Sequence, residues 1–307
     1  MEEERAEAGP GVFSRVLVPT DFSKPAFNTL ECVAGMHGLR EMVLYHAIDA
    51  TRPFRNESMY NQKLENARIL LGEKKDQFGG RGFRIETRVR AVTGGDIATS
   101  ILETAEEEKV SLVIMGSRGR TLVKGLLLGS VSSDVLRFGK VPLLILSHEF
   151  ARGLRAQDCG RRCGEILSRV LCATDFSPAA DRCITFLSET RGIGEVILAH
   201  VVTKGETEEE IEGYVKEARE RLETISEGFR AAGHRASLRV HVGDPVNGIL
   251  RLAREEDATL IAIGTVGKNW LKEILMGSTT LGVVRHANRP VLVLRVPQEG
   301  PPPIPPA

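Results

Sequence analysis

The sequence predicts an α/β protein made of two tandem domains, each an open sandwich with a five-stranded parallel sheet and helices on both faces. Three observations predict it: the chain repeats itself, each half alternates β-branched runs with helical periods, and the innermost runs are apolar without alternation. The repeat is plainest in Arg15 to Ser23, Arg-Val-Leu-Val-Pro-Thr-Asp-Phe-Ser, set against Arg169 to Ser177, Arg-Val-Leu-Cys-Ala-Thr-Asp-Phe-Ser. A repeat on this scale sets domain count and element order together. Asp21 and Asp175 are 154 positions apart, as are His46 and His200, whereas Gly95 and Gly243, Gly116 and Gly264, and Pro142 and Pro290 are 148 apart. Six residues are therefore missing from one stretch. Their loss is expected between the second and third strands, around 51–83, where a surface helix and its loops vary without touching the core.

In the first half the strands are expected near Arg15 to Pro19, Met42 to Ala47, Arg84 to Arg90, Ser111 to Met115 and Val141 to Leu146. In the second they fall near Arg169 to Ala173, Glu195 to Val202, Ala236 to Val242, Thr259 to Ile263 and Val291 to Arg295. Strands spaced by helical patterns are the signature of βαβ units. Leu112 to Met115 and Leu260 to Ile263 lack polar alternation, as central strands covered on both faces do. Between the second and third strands of the second half, Ile211, Val215, Ala218, Leu222, Ile225 and Phe229 recur at steps of three and four, one apolar helix face. The acidic run Glu206 to Glu212 reads as its solvated start and suits the positive end of the helix dipole. Tyr60, Leu64, Ala67 and Leu71 repeat the design more loosely. Ser147 to Ser168, of mixed charge and without a clean period, reads as the connection between domains. The proline-dominated tail, Pro297 to Ala307, is expected to stay disordered.

Composition limits the function. Lys+Arg and Asp+Glu both number 41 in 307 residues, so the basic field of a nucleic-acid or anionic-membrane binder is missing. Neither kind of partner is expected. No run approaches ~18 continuous apolar residues, and Met1 to Gly9 lacks the basic start and apolar core of a signal peptide. The five cysteines, Cys32, Cys159, Cys163, Cys172 and Cys183, form no disulfide framework by spacing, so a reducing compartment, the cytoplasm, is the expectation.

The chemistry sits after the fourth strand of each half. Met115 leads into Gly116-Ser117-Arg118-Gly119, then nine residues, then Gly129-Ser130-Val131-Ser132; Ile263 leads into Gly264-Thr265-Val266-Gly267, then nine residues, then Gly277-Ser278-Thr279-Thr280. A glycine ending a parallel strand lets the chain turn and a ligand lie against bare backbone. The second Gly-Ser opens a helix, whose free amides suit phosphate oxygens, with the hydroxyls of Ser130, Ser132, Ser278, Thr279 and Thr280 as further donors. Turn-making and ordinary capping are the alternative. Two copies with identical spacing favour binding. Thr20-Asp21 after Pro19, and Thr174-Asp175 after Ala173, lie at the carboxyl edge of the sheet, where open α/β folds bind ligands; each Asp also suits a turn or cap with Ser23 or Ser177.

With these motifs, both halves resemble the universal stress protein domain, in the subgroup with the Gly-x2-Gly-x9-Gly-Ser/Thr motif. The resemblance spans 13–147 and 167–296. It implies a parallel sheet of order 3-2-1-4-5 with ATP or AMP at its carboxyl edge, Mg2+ accompanying ATP. Carried over, it implies that Asp21 and Asp175 contact adenosine, that backbone near Ala47 and Val201 lines the adenine pocket, and that the glycine sets with their Ser, Val and Thr neighbours hold ribose and phosphates. It further implies a fifth strand at an edge, apt to pair with its counterpart about a pseudo-twofold axis into an intrachain pseudo-dimer, with a homodimer and an unidentified protein partner as further assemblies. Ala173, where the first half has Pro19, departs from the repeat.

Other signals read as structural. His46 and His200 have no partner carboxylate by sequence, and Cys159 with Cys163 lacks a second metal-binding pair. Arg118, Arg120, Lys124, Lys268 and Lys272 read as charges that steer anions. The chain has no Gly-x4-Gly-Lys-Ser/Thr loop, no His-x-Gly-His and no Ser-Gly-Gly-x-Asp-Ser. The expectation is a nucleotide-responsive regulator of stress response, without a catalytic or metal-ligating residue; a slow ATPase or phosphotransferase and a nucleotide-free interaction scaffold are the alternatives.

Overall fold

A computed structural model of the chain describes residues 13–50, 57–93, 96–119, 128–153, 161–265 and 276–295. The first half runs β1 (Arg15–Pro19), α1 (Lys24–Ala34), β2 (Glu41–Asp49), α2 (Glu57–Phe78), β3 (Arg84–Val92), α3 (Ile97–Glu107), β4 (Leu112–Gly116), α4 (Ser130–Phe138) and β5 (Leu143–Leu146). After α5 (His148–Gly153), the second half runs β6 (Arg169–Ala173), α6 (Pro178–Glu189), β7 (Glu195–Val202), α7 (Glu208–Ala231), β8 (Arg235–Val242), α8 (Pro245–Glu255), β9 (Leu260–Gly264), α9 (Ser278–His286) and β10 (Val291–Leu294). All ten expected strands are present, most with ends moved by a residue or two.

The strands form one sheet of order β3-β2-β1-β4-β5-β10-β9-β6-β7-β8. Within each half every pairing is parallel and the order is 3-2-1-4-5. β5 and β10 pair antiparallel at the centre, with Leu144 opposite Leu292. The fifth strands are thus interior, and β3 and β8 are the edges. Pro142 and Pro290 precede their strands, so neither withholds a donor from the central ladder; their carbonyls accept from Val113 and Ile261.

Strand alternation sends side chains to two cores, one on each face. Val16 and Val18 enter the core covered by α1, α2, α6 and α7, while Leu17 enters the one covered by α3, α4, α8 and α9. Both cores run through both halves without a break. Ala218, Leu222 and Phe229 bury the predicted face of α7, and Thr207 caps its acidic first turn. Across the seam, the Arg295 guanidinium donates to the carbonyls of Val135 (3.1 Å) and Leu136. It therefore caps the C-terminus of α4 in the other half, where a cation also meets the negative end of the dipole.

Three expectations are corrected. Cys32 and Cys163 form a disulfide across 131 positions. Spacing gave no sign of it, because the pairing depends on the tertiary packing of the segment before β6 against α1. The connection between halves is partly helical, with α5 and a helical turn at 161–164. The six missing residues are not all lost between the second and third strands. Arg84 and Arg235, which face the equivalent Glu41 and Glu195, are 151 apart, and the helix caps Asp96 and Asp244 are 148 apart. Three go before the third strand and three after it, both outside the conserved frame of the sheet. Pro297 to Ala307, Cys159 and Gly95 lie outside the described residues.

Candidate functional site

Each half turns the same way at the end of its first strand. The Thr20 and Thr174 amides donate to the carbonyls of Tyr45 (2.8 Å) and Ala199 (2.9 Å), extending the parallel ladder by one residue. The next residues leave it. Phe22 and Phe176 take left-handed φ of 60° and 59°, a conformation few residues other than glycine adopt. Local acceptors hold the turn: Thr20 Oγ1 and Thr174 Oγ1 take the Phe amides (3.1 and 3.0 Å), and Asp21 Oδ1 and Asp175 Oδ1 take the Ser23 and Ser177 amides (2.9 and 3.1 Å). Ser23 and Ser177 then cap α1 and α6. Both aspartates therefore serve the turn through one oxygen. In the first half Asp21 Oδ2 also faces Gly119, where a Cβ would stand only 2.7 Å away, so a larger residue there would displace the carboxylate.

His46 and His200 occupy equivalent places. The ring Nδ1–H donates to the Thr20 and Thr174 carbonyls, each at 2.8 Å, because a carbonyl can only accept. The rings pack on Phe22 and Phe176, with centroids 4.3 and 4.4 Å apart. Each histidine braces the turn that carries the aspartate.

The glycine sets close the opposite wall. The Gly129 and Gly277 amides donate to the Ser117 and Thr265 carbonyls (2.8 and 2.7 Å), so each long loop ends where it began. Ser132 Oγ and Thr280 Oγ1 donate to the Gly116 and Gly264 carbonyls (3.0 and 2.7 Å), and both side chains are buried. These hydroxyls spend their protons on bracing the strand end, which removes them from the expected donors. Ser130, exposed, and Ser278 and Thr279 stay at the helix starts. Gly129 and Gly277 offer no side-chain cap, whereas Ser23, Asp96, Ser177, Thr207 and Asp244 each accept from a first-turn amide of their helix. Only the two helices behind the glycine loops leave these amides without a side-chain acceptor among the caps described.

In the second half these walls enclose a cleft of about 800 Å³ at the carboxyl edge of the sheet. Ala173, Thr174, Asp175, Val201, Ile263, Gly264, Gly277, Ser278, Thr279 and Thr280 all line it; Gly267 lies outside the described residues. In the first half Pro19, Thr20, Asp21, Ala47, Met115, Gly116, Gly119, Gly129, Ser130, Val131 and Ser132 occupy the corresponding edge of β1, β2, β4 and α4. Sequence reasoning missed one wall. Tyr214, Glu217 and Arg221 on α7 line the cleft with Lys204 and Met276, and Arg221 lies 4.1 Å over the Phe176 ring. Spacing of three and four on the polar side of α7 was the available signal. In the first half the Arg118 Nε is buried without a hydrogen-bond partner. Arg120, Lys124, Lys268, Lys272 and Trp270 lie outside the described residues. Among those described, no cluster of three or more His, Cys, Asp or Glu is arranged to hold a metal, and no helix is long and apolar enough to cross a membrane.

Two halves of 3-2-1-4-5 order, each with a glycine-framed strand end facing a bare helix start, define a tandem α/β protein with a ligand-type edge in each half. The model of the universal stress protein family matches residues 13–147 and again 167–295, and the chain belongs to that family. A universal stress protein structure from Archaeoglobus fulgidus is similar over 92% of this chain and 98% of its own, at 27% identity and a TM-score of 0.69. Universal stress protein Slr1230 of Synechocystis sp. is 25% identical over 75% of this chain and 72% of its own. Universal stress protein MJ0577 of Methanocaldococcus jannaschii is 31% identical over 41% of this chain and 94% of its own.

Proposed function

We propose that the protein is a regulator within this stress-response family that holds one adenine nucleotide, ATP or AMP, in each half, and that the bound nucleotide sets its shape or its affinity for a protein partner. One observation carries the reading: the second cleft gathers Asp175, the Val201 backbone and the uncapped start of α9 around one space. An aspartate suits sugar hydroxyls, an apolar strand end suits a base, and free helix amides suit phosphate. The orphan Arg118 Nε adds a cation for phosphate in the first half. With ATP, Mg2+ enters on the phosphates, and no dedicated protein cage is required.

Regulation is favoured over fast catalysis because His200 has its Nδ1 committed to Thr174, and Asp175 accepts a turn amide. Both thus hold the turn beside the adenosine end of the proposed site rather than its phosphate end. Turnover is expected far below the ~1 to 10³ per second of dedicated enzymes. We place the protein in the cytoplasm, working as a pseudo-dimer of its two halves and able to form homodimers. The decisive experiment strips the protein, identifies by mass what acid releases from it, and titrates ATP and AMP by calorimetry. Two equivalents of an adenine nucleotide are expected. No released nucleotide and no heat with either titrant would reject the reading in favour of a nucleotide-free scaffold, and metal-dependent turnover near one per second would replace it with an ATPase or phosphotransferase.

A further inference from the structure

Apart from the chain itself, the Cys32–Cys163 disulfide is a covalent join between the first half and the segment that leads into the second. Cys32 lies in the last turn of α1, and Cys163 in the helical turn 161–164 that leads into β6; their Cα atoms are 5.3 Å apart. The surfaces it joins also pack on one another, with Ile166 and Leu167 buried in the same core as Leu30 and Val33 of α1. His37 Nδ1 donates to the Gly164 carbonyl at 2.9 Å. Gly164 lies so near that a Cβ would stand 2.8 Å from His37 Cε1 and 3.2 Å from the Gly35 carbonyl, so glycine is what permits the approach. The other described pair behaves differently. Cys172 on β6 and Cys183 on α6 have sulfurs 4.0 Å apart inside one half and are free thiols. The hydrogen bond with Cys172 and full burial push the Cys183 thiol up, which suppresses its thiolate.

We propose that Cys32 and Cys163 form a reversible redox clasp, closed by exchange with small-molecule disulfides of the glutathione class and opened by the matching thiols. On closing, one cysteine thiolate attacks the small disulfide and expels a thiolate, leaving a mixed disulfide. The second cysteine thiolate then attacks the protein-bound sulfur and expels the other thiolate. Two protein thiols lose two protons and two electrons, and one small disulfide becomes two thiols; opening is the reverse. Both sulfurs are fully buried, so each exchange waits on the 161–164 turn parting from α1. That parting opens the edge of the core at Cys163 but leaves the ladders of the sheet paired, because the turn lies outside every strand.

The clasp lies where it can affect both sites. α1 is capped by Ser23, near Asp21, and carries Cys32 in its last turn; the segment beyond Cys163 enters β6, which leads into Thr174 and Asp175. Closing it ties the far end of one site's helix to the lead-in of the other site's first strand.

The test equilibrates the full chain in glutathione buffers from mostly oxidised to mostly reduced, traps thiols with N-ethylmaleimide, and maps the cysteines by mass. Cys32 and Cys163 are expected to pass from linked to labelled within that range. Cys172 and Cys183 should stay unlabelled until the protein is denatured. Opening should lower Tm by roughly 5–10 °C, because a loop of this length is no longer closed in the unfolded chain. Cys32→Ser and Cys163→Ser should match reduced wild type and ignore the buffer. A pair that stays linked throughout, stays labelled throughout, or opens with no change in Tm would overturn the proposal. Because the titration uses wild-type protein, it decides the matter even if a serine variant fails to fold.

Discussion

The two halves keep one turn and differ in what surrounds it. Hydrogen bonds to the Thr and Asp side chains and from the His rings recur in both to within about 0.2 Å, and Phe22 and Phe176 share a left-handed backbone. The walls have diverged. Lys204 and Arg221 line the second cleft, whereas the equivalent positions of the first half are Ala50 and Leu70. At the opposite end of the sheet the first half is the more heavily charged. Arg15 bridges Glu41, Glu86 and Glu108, with Arg84 and Arg88 alongside, where the second half has Arg169, Glu195, Arg239 and Glu256. Duplication preserved the strained turn because several bonds must agree to hold it. A charge on a wall can change alone.

The largest expected effect is at the part the halves share. Leu144→Asp or Leu292→Asp puts an unpaired charge into the central ladder, where both side chains are buried, and should cost about 3–5 kcal/mol by urea unfolding. Equal losses from the two variants are expected, since the residues face each other; a loss confined to one would mean that the halves do not share this core.

Gly129→Val and Gly277→Val should each remove one nucleotide site, lowering affinity at least ~100-fold, or about 2.7 kcal/mol, in calorimetry. Gly129 has ordinary room for a Cβ, 3.6 Å from the Ser117 carbonyl, so binding should suffer more than folding. Trp270, the single tryptophan, falls between Gly267 and Gly277, and its fluorescence should report the second site only. A double variant that binds ATP as wild type does would remove both glycine sets from the site.

Arg15→Met should destabilise by about 2 kcal/mol, and Arg169→Met by less, because Arg15 joins more carboxylates. Acid sharpens the contrast. Burial opposes the charge on Glu41 and Glu108, but hydrogen bonds from Arg15, Arg84 and Arg88 outweigh it and hold both carboxyls below their usual range. Their folded values being depressed, the stability they add is present above the unfolded carboxylate value near 4.3 and is lost as pH falls through the lower folded values. Urea midpoints of wild type and Arg15→Met should therefore converge in acid. A gap that stays constant down to pH 2 would assign the effect of Arg15 to packing.

The smallest effect is at the divergent wall. Arg221→Leu copies the first half and should weaken ATP at the second site only a few-fold, under ~1 kcal/mol, since Arg221 is half exposed and already faces Glu217. A stronger loss for ATP than for AMP would show that Arg221 acts on the phosphates. Equal small losses would place it at the base.

Much of this was legible along the chain. The repeat sets two halves, unbroken apolar runs such as Leu260 to Ile263 mark central strands, and the step of three and four from Ile211 to Phe229 marks α7, because local geometry alone imposes those periods. The glycine spacing likewise located the strand ends and helix starts. Sequence could not say that Ser132 and Thr280 would turn their hydroxyls to the strand ends, since a hydroxyl's partner depends on which backbone group folding brings near. Nor could it find Arg221 in the cleft or Arg295 on α4, each far along the chain from what it touches. Cys32 and Cys163 are the extreme case. Separated by 131 positions, they meet because folding lays the connection between the halves against α1. Sequence by itself determined what each half is, through periods short enough for neighbouring residues to set; tertiary structure decided how the halves meet, because that depends on surfaces that exist only once both sheets have formed.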